Sequence, residues 1–246
     1  MREPRRRAMA GLLALGIETA TRAGGVALVD EDGVVVSLHV NLEQSHSRQT
    51  AGLIQQALQA AGVTAADVSI VGVSIGPGSF TGARIGLSLA KGLCLAAGVP
   101  LTGVSTLEGL AARAGVPGAL VSPLLDARRA EAYAALFRLA ADPDETPQRL
   151  HPDDRMPLEA WLDRIETMAG GEPVWFTGDA RRCFQASLRQ RLGSRARLAG
   201  ALRSEPAADT IAWLALRGRL TDPDVGRDWE TLEPEYVRSG GSPSNL

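Results

Sequence analysis

Residues 73–100, VSIGPGSFTGARIGLSLAKGLCLAAGVP, join an apolar stretch, a glycine-rich loop and a helical pattern. The apolar start predicts a buried strand, and the spacing of apolar residues after Gly82 predicts a helix that reaches about Ala97. Gly98 followed by Pro100 is a typical end for such a helix. This order predicts an α/β fold, and loops of this shape bind phosphate in many proteins.

The glycine loop allows more than one interpretation. A Walker A loop is excluded, because Gly78 and Gly82 are too close together and no Lys-Ser or Lys-Thr pair follows. Gly76-x-Gly78-x-x-x-Gly82 resembles a relaxed dinucleotide fingerprint, but no acidic residue ends a strand about 20 residues later. Alternatively, the glycines only permit a tight turn, and Ser79 or Thr81 caps the following helix. A weak phosphate role stays open beside that interpretation.

The composition narrows the class of protein. The chain has 246 residues and a formal net charge of −2, so any contact with RNA needs a local basic patch. Cys94 and Cys183 form no CxxC motif, which favours a reducing cytoplasm over a disulfide scaffold. The three histidines lack the spacing of a zinc site. No apolar run is long enough to predict a membrane span.

The pattern of strands and helices repeats. Strands are expected at Leu12–Glu18, Gly24–Asp30, Val34–Val40, Ser69–Ile75 and Leu101–Val104, with a helix at Ser47–Ala61. After a boundary near Gly115, strands are expected at 119–125, 130–139, 174–177 and 196–198, a loop over 141–157, and helices at 157–169, 179–192 and 210–219. We therefore predict a duplicated α/β fold with a mixed sheet in each half. The expected divisions are a disordered arm (1–8, with a true start at Met9 as an alternative), two domains (9–115 and 116–238) and a flexible tail (239–246).

The helix after the glycine loop is apolar on most of its surface. One stripe contains Ile85, Leu89 and Leu93, and another contains Leu87, Ala90 and Cys94. An amphipathic surface helix needs only one such stripe. This helix is therefore either enclosed within its domain or buried in a protein–protein interface, and the sequence leaves both interpretations open.

Four stretches and the C-terminal end resemble one known family. They are LGIETAT (15–21), HSRQTAGLI (46–54), GPGSFTGARIGLSLAKGL (76–93), DARRAEAYAALF (126–137) and LEPEYVR (232–238). The chain resembles the TsaB (YeaZ) family of the actin/Hsp70-like ATPase superfamily. The resemblance implies two actin-like (RNase H-like, ASKHA) subdomains, each a mixed sheet flanked by helices.

The resemblance also implies a function. Members are non-catalytic accessory subunits in threonylcarbamoyl transfer to the adenosine beside the anticodon of tRNAs that read codons starting with A. The implied partners are a TsaD-like catalytic subunit and a TsaE-like ATPase, with a homodimer as an alternative and tRNA as the substrate of the complex. ATP and magnesium are used by the complex, and no cofactor is assigned to this chain itself. The competing hypothesis is a stand-alone nucleotide-dependent kinase or hydrolase of the same superfold.

No catalytic or metal-binding residue is predicted, because neither a ligand cluster nor a nucleophile with a base is visible, and His46 stands alone. Glu18 follows the first strand, where nucleotide-binding members carry Asp; a solvated or capping carboxylate is the alternative. Candidate phosphate-facing residues are Glu18, Thr19, Gly76, Gly78, Ser79, Thr81 and Gly82. Candidate interface residues are Leu53, Ile54, Ala57, Leu87, Ala90, Lys91 and Cys94. Arg128–Arg129 and Arg181–Arg182 are weaker candidates for contacts with tRNA.

Overall fold

The computed structural model describes residues 11–41 and 46–237. The expected arm, the tail from 239 and the side chain of His46 lie outside the described residues. The chain divides into two units, of which the first contains Met1–Ser105 and Pro206–Pro234 and the second contains Thr106–Glu205 and Glu235–Leu246. The continuous domains expected from the sequence therefore need correction, because residues 106–115 join the second unit and residues 206–234 return to the first.

The first unit contains a five-stranded mixed sheet. Its strands are β1 (Ala14–Glu18), β2 (Ala23–Asp30), β3 (Gly33–Asn41), β4 (Ile70–Gly76) and β5 (Leu101–Ser105), in the order β3-β2-β1-β4-β5. β1 pairs antiparallel with β2 and parallel with β4, and β4 pairs parallel with β5. The predicted hairpin is confirmed: the Asp30 carboxylate accepts the amides of Asp32 and Gly33 at 3.0 and 3.1 Å and closes the turn.

Helices cover both faces of this sheet. Helices α1 (His46–Ala61) and α2 (Phe80–Ala97) pack against one face through a cluster that includes Leu15, Val73 and Leu87. The other face packs against a helix from late in the sequence, Ala208–Thr221. Gly16 permits this second contact, because a Cβ atom there would lie 2.1 Å from the Ala208 carbonyl oxygen. The close approach explains why this late helix belongs to the first unit.

The second unit repeats the architecture. Its elements are α3 (Thr106–Ala114), β6 (Leu120–Arg128), β7 (Glu131–Arg138), β8 (Gln148–Pro157), α4 (Leu158–Met168), β9 (Val174–Gly178), α5 (Gln185–Leu192) and β10 (Ala196–Leu198), and the late helix of the first unit becomes α6. The strand order is β10-β9-β6-β7-β8, with parallel β6, β9 and β10. Helices α4 and α5 pack on one face and α3 on the other. Two mixed sheets flanked by helices confirm the predicted fold class.

Two local expectations are wrong. Residues 148–157 form the edge strand β8 instead of a loop. Their polar residues and two prolines do not resemble a strand sequence. An edge strand tolerates such residues, because its outer side forms no hydrogen bonds to a neighbouring strand. The helix expected over 179–192 is a π-helical segment, Ala180–Phe184, followed by α5. Among the described residues, no helix is long and apolar enough to cross a membrane.

Candidate functional site

The glycine loop forms a tight turn that ends in a helix cap. Gly76 and Gly78 have φ angles of 115° and 156°, which other residues rarely adopt. Ser79 is the N-cap of α2: its hydroxyl accepts the Gly82 amide at 3.2 Å, and its carbonyl oxygen accepts the Ala83 amide at 3.0 Å. Two of the amides at the helix start are therefore bound within the loop itself.

The same loop packs directly on the turn between β1 and β2. The Ser79 amide donates to the Ala20 carbonyl oxygen at 2.5 Å, and the Thr19 hydroxyl donates to the Gly82 carbonyl oxygen at 2.8 Å. A Cβ atom at Gly78 would lie 2.1 Å from the Ala20 carbonyl oxygen, and one at Gly82 would lie 2.0 Å from that of Thr19. These glycines permit contact between two backbone segments, because any side chain would push the segments apart.

These contacts change the interpretation of the candidate phosphate-facing residues. The structure brings Glu18, Thr19, Gly78, Ser79 and Gly82 together. The amides of Ser79 and Gly82 and the hydroxyl of Thr19 donate to protein atoms, so they are not available to a phosphate. Thr81 is exposed at the start of α2, and its phosphate-facing role stays a prediction.

Glu18 lies at the centre of this cluster and is fully buried. Its Oε1 accepts the Ala20 amide at 2.7 Å, while Oε2 has no hydrogen-bond partner among the described residues. Burial raises the pKa of Glu18 to about 7, although hydrogen bonds from Ala20, Ser74 and Thr21 lower it. The expected solvated carboxylate is wrong, because this side chain points into the protein. Its capping role is supported by the bond to Ala20.

Most candidate interface residues lie in the core of the first unit. Ile54, Ala57, Leu87, Ala90 and Cys94 are all buried in the cluster that joins α1 and α2 to the sheet. They are not available to a partner, and their assignment to an interface needs correction. The sequence shows two apolar stripes on α2, and only the fold decides which of them faces the sheet.

Two candidate interface residues are half-buried. Leu53 packs against the same core cluster. Lys91 Nζ donates to the Glu230 carbonyl oxygen at 2.9 Å, which attaches α2 to the segment after α6. A sequence pattern could not reveal that contact, because 139 residues separate its two partners.

The outer side of α2 carries a different set of residues. Phe80 and Leu95 are 53% and 75% exposed, and the Arg84 guanidinium lies 3.8 Å from the centre of the Phe80 ring. Together with exposed Ser88, these residues form what we call the α2 outer face. Sequence reasoning missed them, although their spacing of four, four and seven residues places them along one side of the helix.

The described residues include neither a metal-ligand cluster nor a reactive Cys94 thiol. Within residues 11–41 and 46–237, no group of three or more His, Cys, Asp or Glu side chains is placed to hold a metal ion. Burial raises the pKa of the Cys94 thiol to about 12, so this thiol stays protonated. Among the candidate tRNA contacts, Arg182 is paired with Asp179 at 2.5 Å, and Arg128 and Arg129 are exposed.

Comparison with known proteins places the chain in a family. The family described as TsaD, tRNA N6-adenosine threonylcarbamoyltransferase, matches residues 40–239. A curated relative from Bacillus subtilis (strain 168), named tRNA threonylcarbamoyladenosine biosynthesis protein TsaB, is 30% identical over 224 residues. That alignment covers 91% of this chain and 93% of the relative. The likeness therefore extends through both units.

Solved structures agree with the sequence matches. One is described as an uncharacterized protein with similarity to the peptidase YeaZ, from Pseudomonas aeruginosa; its TM-score is 0.73 at 27% identity, covering 94% of this chain and 100% of that one. The (R)-2-hydroxyglutaryl-CoA dehydratase component A of Acidaminococcus fermentans has a TM-score of 0.51 at 12% identity, over 85% of this chain and 99% of that one, and shows the fold alone. The chain belongs to the TsaB (YeaZ) family of tRNA threonylcarbamoyladenosine biosynthesis proteins and has the two-unit actin-like α/β fold of the ASKHA type that the resemblance implied.

Proposed function

We propose that this chain is the accessory subunit of a tRNA threonylcarbamoyladenosine complex, in which a TsaD-type subunit carries out the transfer. The observation that carries the proposal is the match to a TsaB relative over 93% of that relative's length. The glycine loop supports it, because the amides of Ser79 and Gly82 donate hydrogen bonds to other atoms of this protein. A chain that closes this loop with its own backbone suits a docking role.

The proposed contact with the TsaD-type partner is the α2 outer face. Phe80 and Leu95 are among the exposed large apolar side chains of the first unit, and both lie on this helix. Burying two such side chains against a partner contributes roughly 1.5–3 kcal/mol each. The Arg84 guanidinium lies over the Phe80 ring, so a positive charge stands beside this apolar surface. The surface therefore offers both apolar area and a charged group to a complementary helix.

Co-purification tests this contact directly. The double variant Phe80→Glu/Leu95→Glu places charges on the α2 outer face, and we expect affinity for the TsaD-type subunit to fall at least about 100-fold. Leu220→Glu is the matched control, since Leu220 is exposed on α6 in the same unit. Undiminished association of the double variant, measured by size-exclusion mass, would refute the α2 outer face as the contact. The same assay without the partner measures whether the chain forms a homodimer.

The other parts of the complex belong to the same proposal. We propose that ATP and magnesium are used by the assembled complex, with a TsaE-type ATPase, on a tRNA substrate in the cytoplasm. Transfer that requires the TsaD-type subunit together with this chain supports the proposal. ATP turnover by the purified chain alone would instead support a stand-alone kinase or hydrolase, which the TsaB relatives do not favour.

A further inference from the structure

A pocket of about 350 Å³ lies at the outer edge of the second sheet. β10 is the last strand of that sheet, and Arg197 on β10 is in register with Trp175 on β9. Paired residues on neighbouring strands lie about 5 Å apart, so the backbones of Arg197 and Trp175 are adjacent. Arg189 on α5 reaches the same pocket, which is completed by Gln185, Ala196 and Leu198.

The two arginines of this pocket differ from most arginines of the unit. Those that pair with carboxylates are Arg138, Arg149, Arg155, Arg164, Arg182, Arg191 and Arg195. The guanidinium groups of Arg189 and Arg197 are exposed and form no ion pair or hydrogen bond with any described residue. No acidic side chain lines the pocket. Two uncompensated positive charges therefore face a shared space, which attracts an anion.

Trp175 adds an aromatic surface to these charges. It is half-buried and packs on one side against the cluster beneath α3. Its indole N–H has no partner among the described residues, whereas the Trp161 indole donates to the Ser122 hydroxyl at 3.0 Å. Buried tryptophans usually satisfy this donor inside the protein. Trp175 thus lines the pocket and carries an indole donor that no described residue uses.

We propose that Trp175, Arg189 and Arg197 bind a nucleotide unit of a single-stranded RNA segment, with the base on the indole and the phosphates on the guanidinium groups. An aromatic side chain beside arginines is the usual means of holding an unpaired base together with its backbone. A simple anion would leave Trp175 unused, and an apolar ligand would leave the arginines unpaired. The choice of RNA rests on the proposed function, while the base-and-phosphate chemistry rests on the pocket.

The position of the pocket favours a strand over a free nucleotide. Both arginines are exposed and lie on different elements at a sheet edge, so a chain of phosphates can pass across them. Because the net charge of the chain is −2, the protein as a whole does not attract RNA. Binding of RNA therefore needs a local group of positive charges such as this one. Arg182, a candidate from the sequence, is already neutralised by Asp179.

Fluorescence anisotropy with a labelled single-stranded RNA of about ten nucleotides tests the site on the full-length protein. We expect Arg189→Ala/Arg197→Ala to weaken binding at least roughly tenfold and to reduce the slope of log K against log salt by about 1.4, for two lost phosphate contacts. Arg138→Ala/Arg164→Ala is the matched control, because it removes two positive charges from the same unit outside the pocket. Trp175→Leu should weaken binding by roughly five- to 100-fold, and Trp175→Phe should restore part of it.

The outcomes separate this inference from the proposed function. Equal losses in the two double-arginine variants would show that only total charge matters and would overturn the site. Competition by free ATP as strong as by the RNA would overturn the choice of a strand. Because the arginine variants are on the surface, they test the site even if Trp175→Leu fails to fold. Co-purification with the TsaD-type subunit is measured separately, so its failure would refute the proposed function without changing the anisotropy result.

Discussion

Glu18→Gln provides the most demanding test of the cluster around the glycine loop. Burial raises the pKa of Glu18 to about 7 in the folded chain, against an ordinary value of 4.5. At about 1.4 kcal/mol for each tenfold change, ionising this buried group costs about 3 kcal/mol of folding free energy. The folded state therefore binds a proton that the unfolded state has already released between about pH 4.5 and 7.

The sign of the pH dependence follows from that difference. The stabilising contribution of protonated Glu18 is complete below about pH 4.5 and is lost as the pH rises through about 7. Between about pH 5 and 7 the free energy of unfolding should fall by about 2 kcal/mol through this group alone. Glutamine keeps the shape and the neutral charge at every pH, so Glu18→Gln should remove this part of the slope.

Urea unfolding at several pH values measures the effect as a difference between the unmodified chain and Glu18→Gln. Burial also raises the pKa values of Glu108 and Glu235, but both proteins contain those groups, so their contribution cancels. Glu145→Gln is the control for loss of one carboxylate, because Glu145 is exposed. If Glu18→Gln unfolds with the same pH slope as the unmodified chain, Glu18 is not the buried titrating group described above.

Other parts of the first unit give further predictions. Gly82→Ala should destabilise the fold by about 3 kcal/mol or more in urea unfolding, because the new Cβ would lie 2.0 Å from the Thr19 carbonyl oxygen. Gly92→Ala is its control on the same helix: no atom lies within 4 Å, and it should stabilise by about 0.5–1 kcal/mol, so equal losses in both variants would contradict the packing argument. Lys91→Met should lower the free energy of unfolding by about 1 kcal/mol, because the hydrogen bond to the Glu230 carbonyl oxygen is lost. Proteolysis of the segment after α6 should then be faster. Cleavage at an unchanged rate would show that Lys91 does not hold that segment.

The sequence predicted the elements whose pattern is local. The hairpin around Asp32, the buried strand before Gly76 and helix α2 all follow from apolar spacing and turn residues within a few positions. β8 was missed because its pattern is polar, as edge strands can be. The return of α6 to the first sheet was missed because nothing near residue 208 encodes its contact with Gly16.

The candidate sites show the same limit more sharply. The sequence analysis listed Glu18, Thr19 and Gly82 together as candidate phosphate-facing residues. It could not show that Glu18 is buried or that Thr19 fills the space beside Gly82, since both facts depend on how two distant loops meet. The pocket with Trp175 could not be predicted from the sequence for a similar reason. The tryptophan and the two arginines lie on separate elements, and no sequence motif connects them.

The arrangement of the glycine loop connects fold to function. A loop that binds phosphate must leave its amides free and accept the cost of keeping them solvated until the ligand arrives. Here the Ser79 amide donates to the Ala20 carbonyl oxygen and the Gly82 amide donates to the Ser79 hydroxyl, so these two amides are already bound within the protein. The glycines still allow another group to come close to the loop backbone, but that group is the turn after β1. Backbone packing therefore requires these glycines just as phosphate binding would. The loop also fixes the start of α2, the helix whose outer face we propose as the contact with the partner.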